Sequence, residues 1–276
     1  MRFEEYKFLI NPEFLPPEFL VLAVEPLLPD KLPNTKGGRP RVPNWKMFIA
    51  IFYVLRSGIQ WKALPKCLGA ASTVHDRFQQ WAQMGIFRTL WEMGLLQAYL
   101  DNRLDFEWIT MDGCATKSPL GGEKTGANPT DRGKCGTKRH LMTEAQGLPI
   151  SLQVTGANTH DITQVEALFD DLAIVLPLDE EHCSHVCADK AYDSVGVRKI
   201  IRQNGCLDNI KSRGEEKTLL KVPGFRARRW VNERTHSWMN RFRRILIRWE
   251  KKIDNYLAFL HLCCASIVWK HCRVFG

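Results

Sequence analysis

Apolar residues between positions 45 and 104 recur at the three- and four-residue spacing of amphipathic helices. Phe48, Ile51 and Leu55 share one helical face, and Gly58 stands where that helix is expected to end. Further helices are predicted over residues 61–68, 73–84 and 87–100. The pattern therefore predicts an all-helical unit, which we delimit as residues 45–104.

The predicted helix over residues 73–84 has one apolar and one polar side. Val74, Phe78 and Trp81 form the apolar side, and Ser72 stands at the N-cap position. The residues predicted to face outward are Thr73, Asp76, Arg77 and Gln80. A helix, a short helix, a glycine-containing turn and a helix with polar outward residues outline a helix-turn-helix that binds DNA, although a plain three-helix bundle has the same pattern.

Strand-like runs replace the helical pattern after residue 105. Three strands are predicted over residues 106–112, 138–144 and 148–155, with Gly147 in the tight connection between the last two. Helices are then predicted over residues 162–176, 195–203, 226–251 and 255–272, and strands over 185–189 and 207–211. A strand meander followed by alternating strands and helices predicts a mixed α/β domain over residues 105–276.

Charge and cysteine content indicate a partner class and a compartment. The formal net charge of +9 over 276 residues favours a nucleic acid or another anionic surface as partner. The longest apolar run, residues 256–269, is shorter than a bilayer span, and no export signal is visible. Nine cysteines in such a chain are expected to be reduced thiols. We therefore expect a cytoplasmic protein without a membrane partner.

Residues 1–44 are rich in proline and are predicted to form a flexible basic arm. Arg39 and Arg41 near its end suit a narrow, A·T-rich minor groove, which attracts arginine. An ordinary basic linker would have the same composition, so both interpretations stay open.

A glycine-rich loop over residues 121–134 carries Lys124, Arg132 and Lys134. Its backbone N–H groups and its cations suit phosphate binding. The loop lacks the Gly-Lys-Ser/Thr ending of a nucleotide-binding loop, which argues against an ATPase.

Three acidic residues stand where a metal-dependent site would need them. Asp112 and Asp189 each close an apolar strand-like run, and ligands collect at strand carboxyl ends in open α/β sheets. Glu233 heads an Arg-rich helix, on which it shares one face with Arg241 and Arg244. Two aspartates and a glutamate can hold two divalent cations about 3.5–4 Å apart, the arrangement used for in-line phosphoryl transfer.

The alternative for each aspartate alone is a helix cap or a turn residue. The alternative for Glu233 is a solvated salt-bridge partner. His160, Asp161 and Asp193 are spare candidates, which we expect to cap helices or to support the site rather than to bind metal directly.

Several segments of the chain resemble bacterial insertion-sequence transposases of the insertion-sequence-five type. The segments are Trp-Ile-Thr-Met-Asp-Gly (108–113), Gly-Ala-Asn-Pro-Thr-Asp-Arg-Gly-Lys-Cys-Gly-Thr-Lys-Arg-His (126–140), Ala-Asp-Lys-Ala-Tyr-Asp (188–193) and Trp-Val-Asn-Glu-Arg-Thr-His-Ser-Trp-Met-Asn-Arg-Phe-Arg-Arg (230–244). Residues 61–65 and 72–78 are similar to that group's N-terminal helical domain. The similarity covers nearly the whole chain from about residue 39.

The resemblance implies a ribonuclease-H-like fold and a DDE triad of catalytic acids. Asp112, Asp189 and Glu233 take the triad positions, where they would hold two Mg²⁺ ions, with Mn²⁺ as an alternative. Arg229 matches the family's signature around the last acid, and Arg241 is expected to take the place of the signature lysine.

The implied function is that of a transposase, acting in the bacterial cytoplasm at the nucleoid. It would bind the terminal inverted repeats of its element as a homodimer, cleave there and transfer the strand into target DNA. A catalytically silent DNA-binding regulator and a plain structure-selective nuclease are the alternatives. The residues expected to contact double-stranded DNA are Arg39, Arg41, Thr73, Arg77, Gln80, Lys124, Arg132, Lys134, Lys138, Arg229, Arg234, Arg241 and Arg244.

Overall fold

The computed structural model of the chain describes residues 15, 19–29, 41–177, 183–211 and 230–272. Among the described residues, a π-helical turn (Leu20–Val24) and a 3₁₀ turn (Glu25–Leu27) come first. Three α-helices then precede the sheet, namely α1 (Asn44–Ser57), α2 (Ala71–Gln83) and α3 (Ile86–Leu100). Between α1 and α2 the chain makes two 3₁₀ turns, Trp61–Ala63 and Lys66–Leu68. Gly58 ends α1 with a left-handed φ of +73°, so the predicted helices and the predicted stop are confirmed.

The apolar side predicted for α2 is buried, but two details of that helix differ from the prediction. Ser72 is not the N-cap, because α2 begins one residue earlier and Ala70 precedes it without a side-chain cap. Arg77 does not face outward. Its side chain is buried and donates a 2.6 Å hydrogen bond to Oδ1 of Asn44, so it holds α2 against α1.

Six strands of the described chain form one sheet. They are β1 (Trp108–Lys117), β2 (Gly126–Ala127), β3 (Cys135–Thr143), β4 (Pro149–Gly156), β5 (His185–Ala188) and β6 (Leu207–Asp208). β3 pairs antiparallel with β1, β2 and β4, whereas β5 and β6 continue in parallel from the other side of β1. An antiparallel meander joined through β1 to two parallel strands is the expected ribonuclease-H-like arrangement.

The helices after the meander are α4 (Val165–Asp170), α5 (Val195–Gln203), α6 (Trp230–Asn240), α7 (Arg243–Leu246) and α8 (Ile253–Cys272). The helix predicted over residues 162–176 is shorter, because the chain returns to the sheet after α4. The N–H of Ala173 donates to the carbonyl of Ile150 at 2.8 Å. Within the described ranges, no helix has both the length and the apolar character that a bilayer crossing requires.

The single helix predicted over residues 226–251 is wrong, because the helix stops after Asn240. Residues 226–229 lie outside the described ones. The side chain of Asn240 accepts a 2.9 Å hydrogen bond from Arg139, which is buried in β3, and Phe242 is extended (φ −91°, ψ 96°). Trp249, within the predicted helix, is 39% exposed. A buried guanidinium needs an acceptor, and this requirement overrides the helical periodicity.

α8 joins the helical unit to the sheet through a shared core. Phe259 on α8 stacks against Phe78 of α2, with ring centroids 4.4 Å apart, and against Trp61 at 5.9 Å. Phe19 packs on Trp269 at 3.9 Å, so a stretch of the predicted arm is anchored in this core. Much of the remaining arm lies outside the described residues, and its flexibility stays a prediction.

We expect Phe259→Ala to lower the free energy of unfolding by about 3–5 kcal/mol, because the fully buried ring lies between α2 and the sheet domain. Urea unfolding followed by tryptophan fluorescence measures this loss. Trp249→Ala is the matched control, since that ring is partly exposed. A loss for Phe259→Ala no larger than the control's would contradict the shared core.

Candidate active site

Asp112 lies inside β1 rather than at its carboxyl end, which corrects the prediction. The parallel pairing of β1 with β5 stops at Met111 and Ala188, while β1 runs on against β3 as far as Lys117. Asp112 and Asp189 are therefore the first residues beyond the last pair of two adjacent parallel strands. Such strands lie about 4.8 Å apart, so the backbones at these two positions are neighbours.

Asp189 follows β5 directly, as predicted, and it also caps the 3₁₀ turn Lys190–Tyr192. Its side chain accepts a hydrogen bond from the N–H of Ala191 at 3.3 Å. Tyr192 is buried beneath the acids: burial raises the pKa of its phenol, and the charges of Asp161, Asp112 and Asp189 raise it further. The phenol therefore stays neutral and adds no charge to the site.

α6 lies over the face of the sheet that carries Asp112. Thr143 donates a 3.1 Å hydrogen bond to Asn232 of α6 and is 2.7 Å from the hydroxyl of Thr110. Thr110 and Asp112 are two residues apart on β1, so they share one face. One turn further along α6, Nε2 of His236 lies 4.0 Å from Oδ2 of Asp112.

A close approach at Gly147 holds α6 in this place. The Thr235 hydroxyl donates to the Gly147 carbonyl at 2.6 Å, and a Cβ added at Gly147 would lie only 2.8 Å from that hydroxyl oxygen. Gly147 also has a left-handed φ of +85°, which favours glycine. Glu233 is exposed on the same turn of α6, at the edge of the covered face.

The electrostatics of Asp112 show which acids lie near it. Burial raises the pKa of Asp112 to about 6, and the N–H of Gly113, 2.8 Å from Oδ1, acts in the opposite direction. The negative charges of Asp161, Asp189 and Glu233 raise the pKa further. Both other acids of the predicted triad thus act on Asp112, together with a fourth carboxylate.

Asp161 is that fourth carboxylate, which we expected from the sequence to cap a helix or to support the site. Its Oδ1 lies 3.1 Å from Nδ1 of His140 and 3.2 Å from Nζ of Lys138. Burial acts to raise the pKa of Asp161, but the hydrogen bond from His140 and the charge of Lys138 outweigh it and hold the pKa below its usual range. The two basic residues stand on β3, next to β1, so only the sheet register reveals their contact with residue 161.

His236 is a buried imidazole that the sequence pattern did not single out. Neither ring nitrogen has a hydrogen-bond partner within the described part of the chain. Burial lowers its pKa to about 3, and the charges of Arg139 and His140 act in the same direction. His236 is therefore neutral at physiological pH and places a polar, uncharged ring beside Asp112.

Several residues predicted to contact DNA are engaged within the protein. Arg244 is buried in an ion pair with Glu250 at 2.6 Å. Arg234 stacks between two tryptophan rings of α6 and donates to the Gln146 carbonyl at 2.5 Å. Lys138 is half-buried against Asp161, and Arg77 is buried as described above. These side chains stabilise the fold or the acidic cluster. The outward position predicted for Arg77 is wrong, and contact of Arg244 and Arg77 with DNA stays a prediction.

Other predicted contacts remain on the surface. Those with exposed side chains are Arg41, Thr73, Gln80, Lys124, Arg132, Lys134 and Arg241. Arg132 stands at the tip of a tight turn in which Asn128 bonds the N–H groups of Thr130 and Gly133 through its side chain and carbonyl, respectively. Arg39 and Arg229 lie outside the described residues.

The acids fit a hard divalent cation in chemistry. Asp112, Asp161, Asp189 and Glu233 supply carboxylate oxygens, which Mg²⁺ prefers, and their mutual repulsion favours a cation among them. Within the described ranges, however, no three potential ligands stand together as a ready-made metal site. Side-chain rotation, above all of the exposed Glu233, would be needed to complete a ligand set.

Two family comparisons cover most of the chain. Residues 101–268 match the transposase DDE domain, and residues 22–91 match a family described as transposases of the IS4/5 type. A protein from Burkholderia cepacia named as a transposase for insertion sequence element IS402 is 40% identical over 156 residues, which cover 55% of this chain and 72% of that one. A Brucella ovis protein named as a transposase for element IS6501 is 31% identical over 138 residues, covering 48% and 96%.

The chain therefore belongs to the transposases with a DDE domain, and within them to the insertion-sequence transposases of the IS4/5 type. Among solved structures, it is similar to the catalytic domain of the Mos1 mariner transposase, with 11% identity, a TM-score of 0.29, and coverage of 67% of this chain and 90% of that one. It is also similar to a pre-cleavage Mos1 transpososome, with 13% identity, a TM-score of 0.30, and coverage of 88% and 81%. Family membership rests on the sequence matches.

We expect Gly113→Ala to destabilise the protein by about 1–3 kcal/mol, the usual cost of overpacking. A Cβ at residue 113 would lie 2.2 Å from Oδ1 of Asp161. The control is Gly196→Ala, because a Cβ there meets nothing within 4 Å. Urea unfolding measures both variants.

The destabilisation caused by Gly113→Ala should be smaller when Asp161 is also replaced by alanine, since the two changes share one contact. If Gly113→Ala costs the same with and without the Asp161 carboxylate, the two residues are not packed together as described.

Proposed function

We propose that the protein binds the terminal inverted repeats of its insertion sequence, cleaves the DNA there and joins the freed end to target DNA. The observation that carries the proposal is the grouping of acids around Asp112 in a chain of the DDE transposase family. Asp189 and Glu233 come from different elements, yet both act electrostatically on the Asp112 carboxyl. Concentrated negative charge in a half-buried site is costly unless a cation is bound there.

In this proposal Asp112, Asp189 and Glu233 hold two Mg²⁺ ions, for which Mn²⁺ can substitute. Bound divalent cations would make water nucleophilic at neutral pH and offset the charge that develops on the scissile phosphate. Water forms a bond to phosphorus and gives up a proton, while the bond from phosphorus to the 3′ oxygen breaks. The departing 3′ oxygen takes up a proton and becomes a free 3′-OH, and the phosphate stays on the 5′ end of the other fragment. That 3′-OH then attacks a phosphodiester of the target DNA, and one P–O bond replaces another.

The residues around the acids position them for this work. The Gly113 N–H fixes one oxygen of Asp112, and the Ala191 N–H fixes one oxygen of Asp189. Lys138 and His140 hold Asp161, which supports the site from the β3 side. His236 stays neutral, so it adds no positive charge that would compete with a cation at Asp112.

DNA binding is assigned to surface residues on both sides of the acids. In the helical unit, Thr73 and Gln80 are exposed on α2, and Arg41 reaches Gln80 at 3.5 Å, which supports a helix-turn-helix function for residues 45–104. In the sheet domain, Lys124, Arg132 and Lys134 lie on the glycine-rich loop. We propose that a homodimer at the bacterial nucleoid brings two ends together.

The rival function is a DNA-binding regulator that has the same fold and no catalysis. All three acids of the triad are present, which argues against it. Binding of the element ends without any cleavage product in Mg²⁺ would support the regulator. Cleavage without joining would instead support a plain nuclease.

We expect Asp112→Asn to reduce Mg²⁺-dependent cleavage and strand transfer by more than about 100-fold, beyond the 10–100-fold loss typical of a residue that only supports a metal ligand. The assay uses duplex DNA that carries the ends flanking the gene, and chelation by EDTA should abolish both products. Glu166→Gln, which removes an exposed acid on α4, serves as the control.

Asp161→Asn should reduce cleavage and strand transfer by about 10–100-fold, less than Asp112→Asn does. The reason is that Asp161 is proposed to support the site rather than to hold the metal. The same assay compares the two variants. Full activity of Asp112→Asn would rule out the assignment of the triad, and an equal loss for both variants would make Asp161 a ligand.

A further inference from the structure

A basic groove lies where the end of α1 meets the turn between α6 and α7, and we call it the junction groove. It measures about 620 Å³, and its walls include Arg56, Ser57, Asn240, Arg241 and Arg243. A smaller cavity of about 70 Å³ adjoins it through Arg56 and Arg241. Among the described residues that line either cavity there is no aspartate or glutamate.

Reciprocal hydrogen bonds build the groove from both sides. Arg56 of α1 donates to the Arg241 carbonyl at 2.7 Å, and Arg244 of α7 donates to the Ile59 carbonyl at 2.9 Å. At Gly58 the two segments approach so closely that an added Cβ would lie 2.8 Å from the Cβ of Arg243. The groove is therefore a preformed feature of the fold and not a chance gap between side chains.

The groove concentrates charge of one sign. Arg241 and Arg243 are exposed, whereas Arg56 is partly buried next to them. Burial lowers the pKa of Arg56, and the charges of Arg241 and Arg243 lower it as well, although Cys263 acts in the opposite direction. Fixed cations that repel each other cost stability, and a polyanion bound in the groove would offset that cost.

We propose that the junction groove binds the phosphate backbone of duplex DNA, with Arg241 and Arg243 as the contacting cations. This inference rests on the proposed function and adds a site that joins the helical unit to the sheet domain. Glu233 and Asn240 are seven residues apart on α6, so the groove lies about 10 Å along the helix axis from the acid.

The test compares salt-dependent binding of a fluorescently labelled duplex of about three helical turns, in EDTA, so that no cleavage occurs. Each lost phosphate contact reduces the slope of log affinity against log salt by about 0.9. Arg241→Gln combined with Arg243→Gln should therefore reduce the slope by about 1.8 and weaken binding roughly ten- to hundredfold at low salt. The charge-retaining pair Arg241→Lys and Arg243→Lys should keep most of the slope.

Lys199→Gln is the matched control, because it removes one exposed cation on α5, away from the groove. Thermal denaturation checks that each variant is folded. An unchanged slope in the folded double-glutamine variant would overturn the proposal, as would an equal loss per charge in Lys199→Gln. A change only in oligomeric state would also overturn it, and would make the groove a protein interface.

The binding assay and the cleavage assay fail separately. A reduced salt slope in the double-glutamine variant, together with no cleavage by the unaltered protein, would support the groove and remove the proposed catalysis. Normal cleavage with an unaffected slope would keep the catalysis and remove the groove.

Discussion

The buried guanidinium of Arg139 sets the geometry on which the candidate site depends. Its side chain lies inside β3, almost fully shielded from solvent, and finds an acceptor in the side chain of Asn240 at the end of α6. This hydrogen bond ties the end of α6 to β3, while Nε and Nη1 of Arg139 have no hydrogen-bond partner among the described residues. The same placement brings Glu233 and His236 over Asp112, and it sends the chain into the turn that forms the junction groove.

Opposite charges are arranged in layers around this point. Asp112 lies on the face of the sheet that α6 covers, and Arg139, whose β1 partner is Cys114, is buried on that same face. Lys138 and His140 point to the opposite face, where they hold Asp161. Tyr192 and His236 are both neutral, so neither side chain adds a charge beside Asp112. Such an arrangement suits a site whose charge changes when a cation and a phosphate arrive, because the protein's own cations are already engaged.

Local pattern predicted most of the elements and the positions of the three acids along the chain. Helical spacing found α1 to α3, and the strand-like runs found the meander and β5, because burial on one face leaves a periodic trace. Pairing between distant segments leaves no such trace. The extension of β1 past Asp112 needs β3 as a partner, and the break after Asn240 needs Arg139, which lies 101 residues away.

The same limit explains the errors at the site. Arg77 and Arg244 look like surface cations in sequence, yet each has an internal partner from another segment, Asn44 for Arg77 and the Ile59 carbonyl for Arg244. Asp161 looked like a helix cap, because its contacts with Lys138 and His140 exist only once β3 pairs with β1. Charge counts therefore located the basic regions, and only tertiary contacts separated the arginines that stabilise the fold from those left for a ligand.

The aromatic stack of Phe78, Phe259 and Trp61 has a consequence for how the two halves work together. Because these rings share one core, the helical unit cannot swing on a tether, and its exposed α2 face keeps a constant orientation toward the acids. If that face binds DNA, the shared core fixes the distance between the bound base pairs and the bond that is cleaved. Half a helical turn of extra DNA between the bound base pairs and the cleavage position would then present the wrong strand to the active site.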